Sequence, residues 1–105
     1  MRLISKKNLL AESTAYPDTQ APIEAWYTML KASGWNSLED IRKSYSSTVD
    51  EAYGYTIFNI KGNKYRLIVQ INYRNQIVFF KRFMTHTEYG KINWSNQEEV
   101  KQKLG

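Results

Sequence analysis

A chain of 105 residues, 42% hydrophobic and 14% aromatic, has the length of one domain and enough apolar content to bury a core, which excludes a disordered tail. No apolar run approaches the ~20 residues of a membrane span, and with no cysteine and His86 as the only histidine, disulfides, thiol nucleophiles, cysteine-ligated metals and two-histidine sites are excluded. Fifteen Lys and Arg against ten Asp and Glu leave a net +5, an excess that suits a polyanionic partner.

The first half reads as helices. Arg2-Leu3-Ile4 suits a short opening strand, and Ser5 suits the N-cap of a helix running through Leu9 and Leu10 to about Ala15, stopped by Pro17. Ile23, Trp26, Tyr27 and Leu30 follow at i, i+3, i+4 and i+7, with Pro22 in the first turn and Gly34 at the C′ position. Ser37 and Asp40 have the spacing of a capping box that opens a third helix, with Leu38, Ile41 and Tyr45 inward. Residues 46–54 read as a loop.

The hydrophobic period then changes to two. Residues 55–60, 64–73 and 76–84 predict three strands, joined by Lys61-Gly62-Asn63 and by Arg74-Asn75 into an antiparallel meander. Along the second strand Tyr65, Leu67, Val69, Ile71 and Tyr73 share a face suited to cover by helices. Lys64, Arg66, Ile68, Gln70 and Asn72 share the other, which is mixed, basic and open to a ligand. Ser95 with Glu98 suits the start of a final, weakly apolar helix. Without repeats, linkers or low-complexity tracts, residues 1–105 read as a single domain.

The charge is concentrated. Residues 1–60 carry a net −1, residues 92–105 balance, and residues 61–91 set seven basic residues against Glu88, a net +6. There Lys61, Lys64, Lys81, Arg82 and Lys91 are interleaved with Tyr65, Tyr73, Phe79, Phe80, Phe83 and Tyr89. Such a composition serves phosphate neutralisation and base stacking, and it equally suits a solvated strand face over core aromatics. Glycine-rich phosphate loops and a Gly-x-Ser-x-Gly elbow are absent. The adjacent carboxylates Asp50-Glu51 and Glu98-Glu99 lack a third ligand nearby, so no metal site is expected.

Past the third strand, His86, Glu88 and Tyr89 fall within four residues of one another, beside these cations. Together they match metal-free RNA cleavage. The substrate's 2′-hydroxyl attacks phosphorus while the protein accepts that proton, protonates the departing 5′-oxygen and stabilises a dianionic transition state. Histidine serves either proton role near neutral pH, and Arg66, one strand away with Lys64, is placed to hold the phosphate. Taken singly, His86 reads slightly better as a turn or helix-capping residue, and Tyr89 as a core anchor.

The run Phe58-Asn59-Ile60-x-Gly62-Asn63-Lys64-Tyr65-Arg66-Leu67, followed by an apolar strand and Thr85-His86-x-Glu88-Tyr89, resembles the HigB-type toxins of type II toxin–antitoxin systems, mRNA interferases of the RelE-like superfamily. Met1-Arg2-Leu3-Ile4-Ser5 and Ala25-Trp26-Tyr27 extend the likeness over residues 1–92, leaving residues 92–105 as a variable tail. The resemblance implies an α+β, microbial-ribonuclease-like fold with N-terminal helices packed on one face of a small antiparallel sheet. It implies cleavage of translated mRNA on the ribosome without a cofactor, a cytoplasmic location, and neutralisation by a HigA-type helix-turn-helix antitoxin. Arg66 matches the arginine that contacts the scissile phosphate, and His86, Glu88 and Tyr89 match the strand-end tail. RelE itself carries an arginine near the position of His86, so the base stays open between His86 and Glu88. The competing readings are a non-catalytic RNA- or ribosome-binding module and a degenerate toxin that binds only its antitoxin.

Overall fold

A computed structural model describes residues 1–105. The elements in chain order are β1 (Arg2–Ile4), α1 (Lys6–Ser13), α2 (Gln20–Ala32), α3 (Leu38–Ser44), β2 (Asp50–Ala52), β3 (Tyr55–Ile60), β4 (Tyr65–Asn72), β5 (Ile77–Thr85), α4 (His86–Gly90) and α5 (Gln97–Leu104), with a 3₁₀ turn at Pro17–Thr19. One sheet, ordered β1-β5-β4-β3-β2, carries all five strands. The class is α+β, as the sequence implies. The sheet is mixed rather than wholly antiparallel, because β1 lies parallel to β5 at its outer edge while the other pairs are antiparallel.

Local hydrogen bonding sets the element ends, and several differ from expectation. α1 stops at Ser13 because the hydroxyls of Ser13 and Thr14 donate back to the Leu10 carbonyl at 3.1 and 2.8 Å. Ser5 opens that helix with a left-handed backbone (φ 73°) and no side-chain cap. Gly34 does not terminate α2. Ser33 turns extended, and the carbonyls of Leu30 and Ser33 accept from the Met1 nitrogen at 3.0 and 2.8 Å. Ser37 does cap α3 through the Asp40 N–H, while the Asp40 carboxylate returns to the Asn36 N–H at 2.9 Å. β2 falls in the segment read as a loop. Its Asp-Glu-Ala sequence has weak strand propensity, and pairing with residues 55–57 of β3 supplies the order that propensity does not. α5 begins one position later than expected, capped by Asn96 from the Glu99 N–H.

Both faces of the sheet are packed. On one, α1, α2 and α3 set Leu9, Ile23, Trp26, Leu30 and Ile41 against Phe58, Leu67, Val69, Val78, Phe80 and Phe83. The Phe58 ring sits at the centre of this layer, 5.5 Å from Trp26, 5.6 Å from Tyr45 and 6.3 Å from Trp35. A bulge completes it: Ile68 pairs with Arg82 and Val69 with Phe80, leaving Lys81 between them as the extra residue. Strict alternation would set Phe80 and Phe83 on opposite faces; the inserted residue brings both into the same core.

The second face differs from the open, ligand-ready surface that its sequence suggests. Tyr55, Ile57, Ile68 and Met84 form a smaller core with Ile92, Val100 and Leu104. Residues 92–105 therefore belong to the packed structure, with Val100 and Leu104 at i, i+4 on the buried side of α5. Leu104→Ala should lower unfolding stability by about 2–5 kcal/mol, whereas Leu10→Ala, at an exposed position, should change it by less than ~0.5 kcal/mol. Urea titration of both variants checks this, and equal small losses would show that α5 is dispensable.

Candidate active site

Arg66 lies on the second face of β4, opposite Asn59 of β3 and Met84 of β5. Its side chain is one of the few polar groups of the molecule that is buried, with 7% exposure. Nη1 donates to the backbone carbonyls of Asn63 (3.0 Å) and Tyr65 (3.3 Å), and Nη2 meets the Asn63 Oδ1 (2.6 Å) and the His86 Nδ1 (3.0 Å). The guanidinium carbon stands 5.0 Å from the Tyr89 ring centroid, within cation–π range. Every one of these partners is neutral. The ion pairs of the molecule, Lys6–Glu24, Arg42–Asp50 and Lys61–Asp18, leave Arg66 without a carboxylate.

The strand-end residues are positioned by the junction of β5 with α4. His86 is the first residue of α4, exposed, and its backbone N–H donates to the Lys64 carbonyl at 2.8 Å, which ties α4 to the β3–β4 hairpin. Thr85 caps the helix in a capping box: its hydroxyl accepts from the Glu88 N–H, and Glu88 Oε1 accepts from the Thr85 N–H at 3.0 Å. Oε1 also accepts from the hydroxyls of Thr85 (3.1 Å) and Tyr16 (3.4 Å). Glu88 is thus held by the cap and by the N-terminal half, apart from the Arg66–His86 contact. Tyr89 is half-buried and packs on Trp94 at 4.9 Å. Burial pushes its phenol above the ordinary value of 10.0; the charge of Asp50 adds to that and Arg66 opposes it. At neutral pH Tyr89 is a proton donor.

Of the nine residues singled out in the sequence, the fold brings Arg66, His86 and Tyr89 together. The five lysine and arginine candidates disperse. Lys61 donates to Asp18 at 2.7 Å, Lys64 is exposed beside the cluster, and Lys81 is the bulge residue. Arg82 and Lys91 line an open groove with Lys103, whose other walls include Glu12, Glu88 and Ile92. His, Asp and Glu side chains nowhere gather in the threes that hold a metal ion. Asn63, quoted only as part of a motif, is the residue that sequence reasoning missed. The available signal was a polar side chain closing a tight turn three residues before a strand arginine. That turn is built by consecutive left-handed residues, Lys61 (φ 54°) and Gly62 (φ 64°), a conformation costly for lysine and natural to glycine.

This chain belongs to the family described as HigB toxin, RelE-like toxic component of a toxin–antitoxin system, whose model matches residues 19–92. Among curated relatives it is 26% identical over 94 residues to the mRNA interferase HigB of Escherichia coli O6:H1 strain CFT073, covering 88% of this chain and 91% of that protein. It is 24% identical over 91 residues to the mRNA interferase toxin HigB of Escherichia coli K12, covering 85% and 88%. The mRNA interferase HigB of Shigella flexneri matches to the same extent.

The hydrogen bond from Lys61 holds the Asp18 carboxyl below its ordinary value of 3.8; the Tyr65 hydroxyl and the Lys61 charge assist, and partial desolvation opposes. A depressed folded-state value contributes stability above the unfolded value and loses it as pH falls through the folded one. Asp18→Asn should therefore melt below the parent at pH 7 and converge with it near pH ~2; a melting difference that persists in acid would point to another cause. Removing either half of the α4 cap, by Thr85→Ala or Glu88→Ala, should cost about 1 kcal/mol. The double variant should lose little more than either single one, and additive losses would mean that the two side chains act independently.

Proposed function

We propose that this chain is an endoribonuclease toxin that cuts translated mRNA on the ribosome, by metal-free attack of the substrate's own 2′-hydroxyl. A HigA-type helix-turn-helix antitoxin neutralises it in the cytoplasm. Its curated relatives are named mRNA interferases, which supports the substrate class. The observation that carries the chemistry is the buried Arg66 charge, surrounded by neutral acceptors and unmatched by any carboxylate. A desolvated cation of this kind attracts an anion far more strongly than a solvated lysine does. A scissile phosphate seated against His86 and Tyr89 receives that charge, and the attraction rises as the phosphorane gains its second negative charge.

His86 and Tyr89 line the approach to the phosphate. Tyr89 donates a hydrogen bond from a phenol that stays protonated at neutral pH. The proton on the 2′-hydroxyl and the proton delivered to the 5′-oxygen are divided between His86 and Glu88 in this reading. Lys64 and Lys91, both exposed, and Arg82 in its groove contact flanking phosphates. Lys81 stands on the same strand, and Lys61 acts chiefly through Asp18.

Induction without antitoxin should arrest growth and cut messages within their translated regions. Normal growth with intact messages, despite soluble protein, overturns the enzymatic reading and favours a binding module. In single-turnover cleavage on programmed ribosomes, Arg66→Ala should slow the cleavage step by ~10²-fold or more. Arg66→Lys should recover only part of the rate, since an ammonium cannot reproduce the planar fork. His86→Gln should slow the step while ribosome binding is retained. Arg74→Ala, in the distant β4–β5 turn, should alter salt-dependent association more than cleavage. Parent rates from folded Arg66→Ala and His86→Gln would place the chemistry elsewhere.

A further inference from the structure

The geometry points to Asn63 as a positioning residue that, through Arg66, sets the tautomer of His86, so that the imidazole meets its substrate as an Nε2–H donor. This inference rests on the reading of His86 as a group that moves or shares protons with RNA.

Arginine has five N–H donors, no acceptor, and stays protonated at any pH compatible with folding. Whatever lies within hydrogen-bond distance of Nη2 must therefore offer a lone pair. At the Asn63 side chain, 2.6 Å away, that atom is Oδ1, and at His86, 3.0 Å away, it is an unprotonated Nδ1. An imidazole whose Nδ1 accepts is neutral and carries its proton on Nε2.

All four terminal N–H groups of Arg66 are committed: two to the Asn63 and Tyr65 carbonyls, one to Asn63 Oδ1 and one to His86. Asn63 takes two of the four, one through its backbone and one through its side chain. It alone fixes both nitrogens, and hence the plane of the fork. The Asn63 side chain is in turn delivered by the left-handed pair Lys61 and Gly62, with Lys61 tethered to Asp18. On the far side, the backbone bond from His86 N–H to the Lys64 carbonyl fixes where the ring stands. Two ends of one hairpin thus define the Nδ1 contact: residue 63 aims the arginine and residue 64 anchors the histidine.

The chemical consequence is specific. With Nδ1 occupied and Arg66 buried at 7% exposure, the polar hydrogen that the ring of exposed His86 offers an incoming phosphodiester is its Nε2–H. In that state His86 donates to a non-bridging phosphate oxygen or to the 5′-oxygen. It has no lone pair facing the 2′-hydroxyl, so a first proton acceptance by His86 would require its bond to Arg66 to break. Asn63 therefore biases which half of the proton traffic His86 carries. An asparagine that merely closed the turn would leave the tautomer unaffected.

The test separates this inference from the enzymatic reading by using a readout that needs no substrate. Long-range ¹H–¹⁵N correlation spectra of the free, ¹⁵N-labelled protein, taken in mildly alkaline buffer, report which ring nitrogen of the single histidine is protonated. The parent should give the Nε2–H pattern. Asn63→Leu, which removes the side-chain acceptor, should give a mixture of both tautomers. Asn63→Asp, which keeps an oxygen in that position, should restore the parent pattern. On programmed ribosomes the cleavage step should fall about tenfold in Asn63→Leu, within the ~10²-fold that a misplacement of ~1 Å can cause, with ribosome association unchanged; it should stay low in Asn63→Asp, whose carboxylate pairs with Arg66 and offsets the charge offered to the phosphate. An Nδ1–H pattern in the parent overturns the inference without any variant, even if Asn63→Leu fails to fold. A parent-like tautomer and rate in folded Asn63→Leu overturn it as well, while leaving Arg66 and His86 as the site. If the parent itself cleaves nothing, the enzymatic reading falls, and the spectra still decide what Asn63 does.

Discussion

A guanidinium with no carboxylate beside it is the constraint around which one end of this molecule is arranged. An unpaired charge withdrawn from water costs several kcal/mol even after relaxation, and arginine has no neutral form to retreat to. The chain accommodates Arg66 by enclosing it in neutral acceptors and one aromatic face, and each of these has its own support. Asn63 stands on a left-handed turn anchored by the Lys61–Asp18 pair. His86 is pinned by the Lys64 carbonyl, and Tyr89 is backed by Trp94, whose carbonyl in turn accepts from the Tyr53 hydroxyl. Neutral partners satisfy hydrogen bonds without cancelling charge. The desolvation has been met during folding, so in the proposed reading an arriving phosphate gains the attraction without a competing carboxylate to displace.

The sheet makes this possible by being packed on both sides. Helices α1 to α3 cover one face and α5 with Ile92 covers much of the other, which leaves the central strand β4 almost wholly buried. A residue on β4 is therefore held rigidly, and Arg66 inherits that rigidity. Even the outer edge of β5 beyond its short pairing with β1 is tied down, since Glu12 of α1 accepts from the Phe83 N–H at 3.1 Å. The proposed active end of the molecule is thus assembled from mobile side chains as little as possible: a buried arginine, a turn asparagine and a helix-start histidine, each fixed through the backbone of an adjoining element.

How much of this was legible in the sequence depends on the range of the interaction that decides it. The three long strands and α2 follow from local hydrophobic period, and their positions agree with it to within a residue or two. β2 was not legible, because Asp50-Glu51-Ala52 is ordered by its pairing with β3 and carries no period of its own. The cover provided by α5 escaped for a related reason: Val100 and Leu104 are only two apolar positions in a polar helix, and their burial depends on the facing Ile68 and Met84. At the site, His86 and Tyr89 were legible as residue types close together in the chain, and Arg66 as a basic residue one strand away. Asn63 was not, since its role consists of two hydrogen bonds whose acceptor geometry exists only once the turn is formed. Glu88 was legible as a titratable group, yet the Thr85-x-x-Glu88 spacing also spells a capping box, and that is where its Oε1 goes.

The same distinction changes what the basic segment means. In sequence, residues 61–91 form a single +6 block, which suggests one cationic surface. Folded, β4 alone spans eight residues, roughly 26 Å at ~3.3 Å per residue, so the hairpin holding Lys61 and Lys64 and the turn holding Arg74 lie at opposite ends of the sheet. That separation exceeds the ~10 Å over which exposed charges act at moderate salt. Lys61 is paired with Asp18, and Arg66 is buried. What remains near the site is Lys64, with Arg82, Lys91 and Lys103 along a groove that also contains Glu12 and Glu88, whose Oε1 atoms are already engaged by backbone N–H groups. Engaged carboxylates repel an incoming phosphate less than free ones, because their charge is partly met by the donors they accept from. The groove therefore adds to the attraction of the Arg66 end, while Arg74 contributes only to the long-range field. In the proposed reading, capture of a polyanion and stabilisation of its transition state fall to different cations: the exposed ones act at a distance under salt screening, and the buried one acts at contact, where salt has little access.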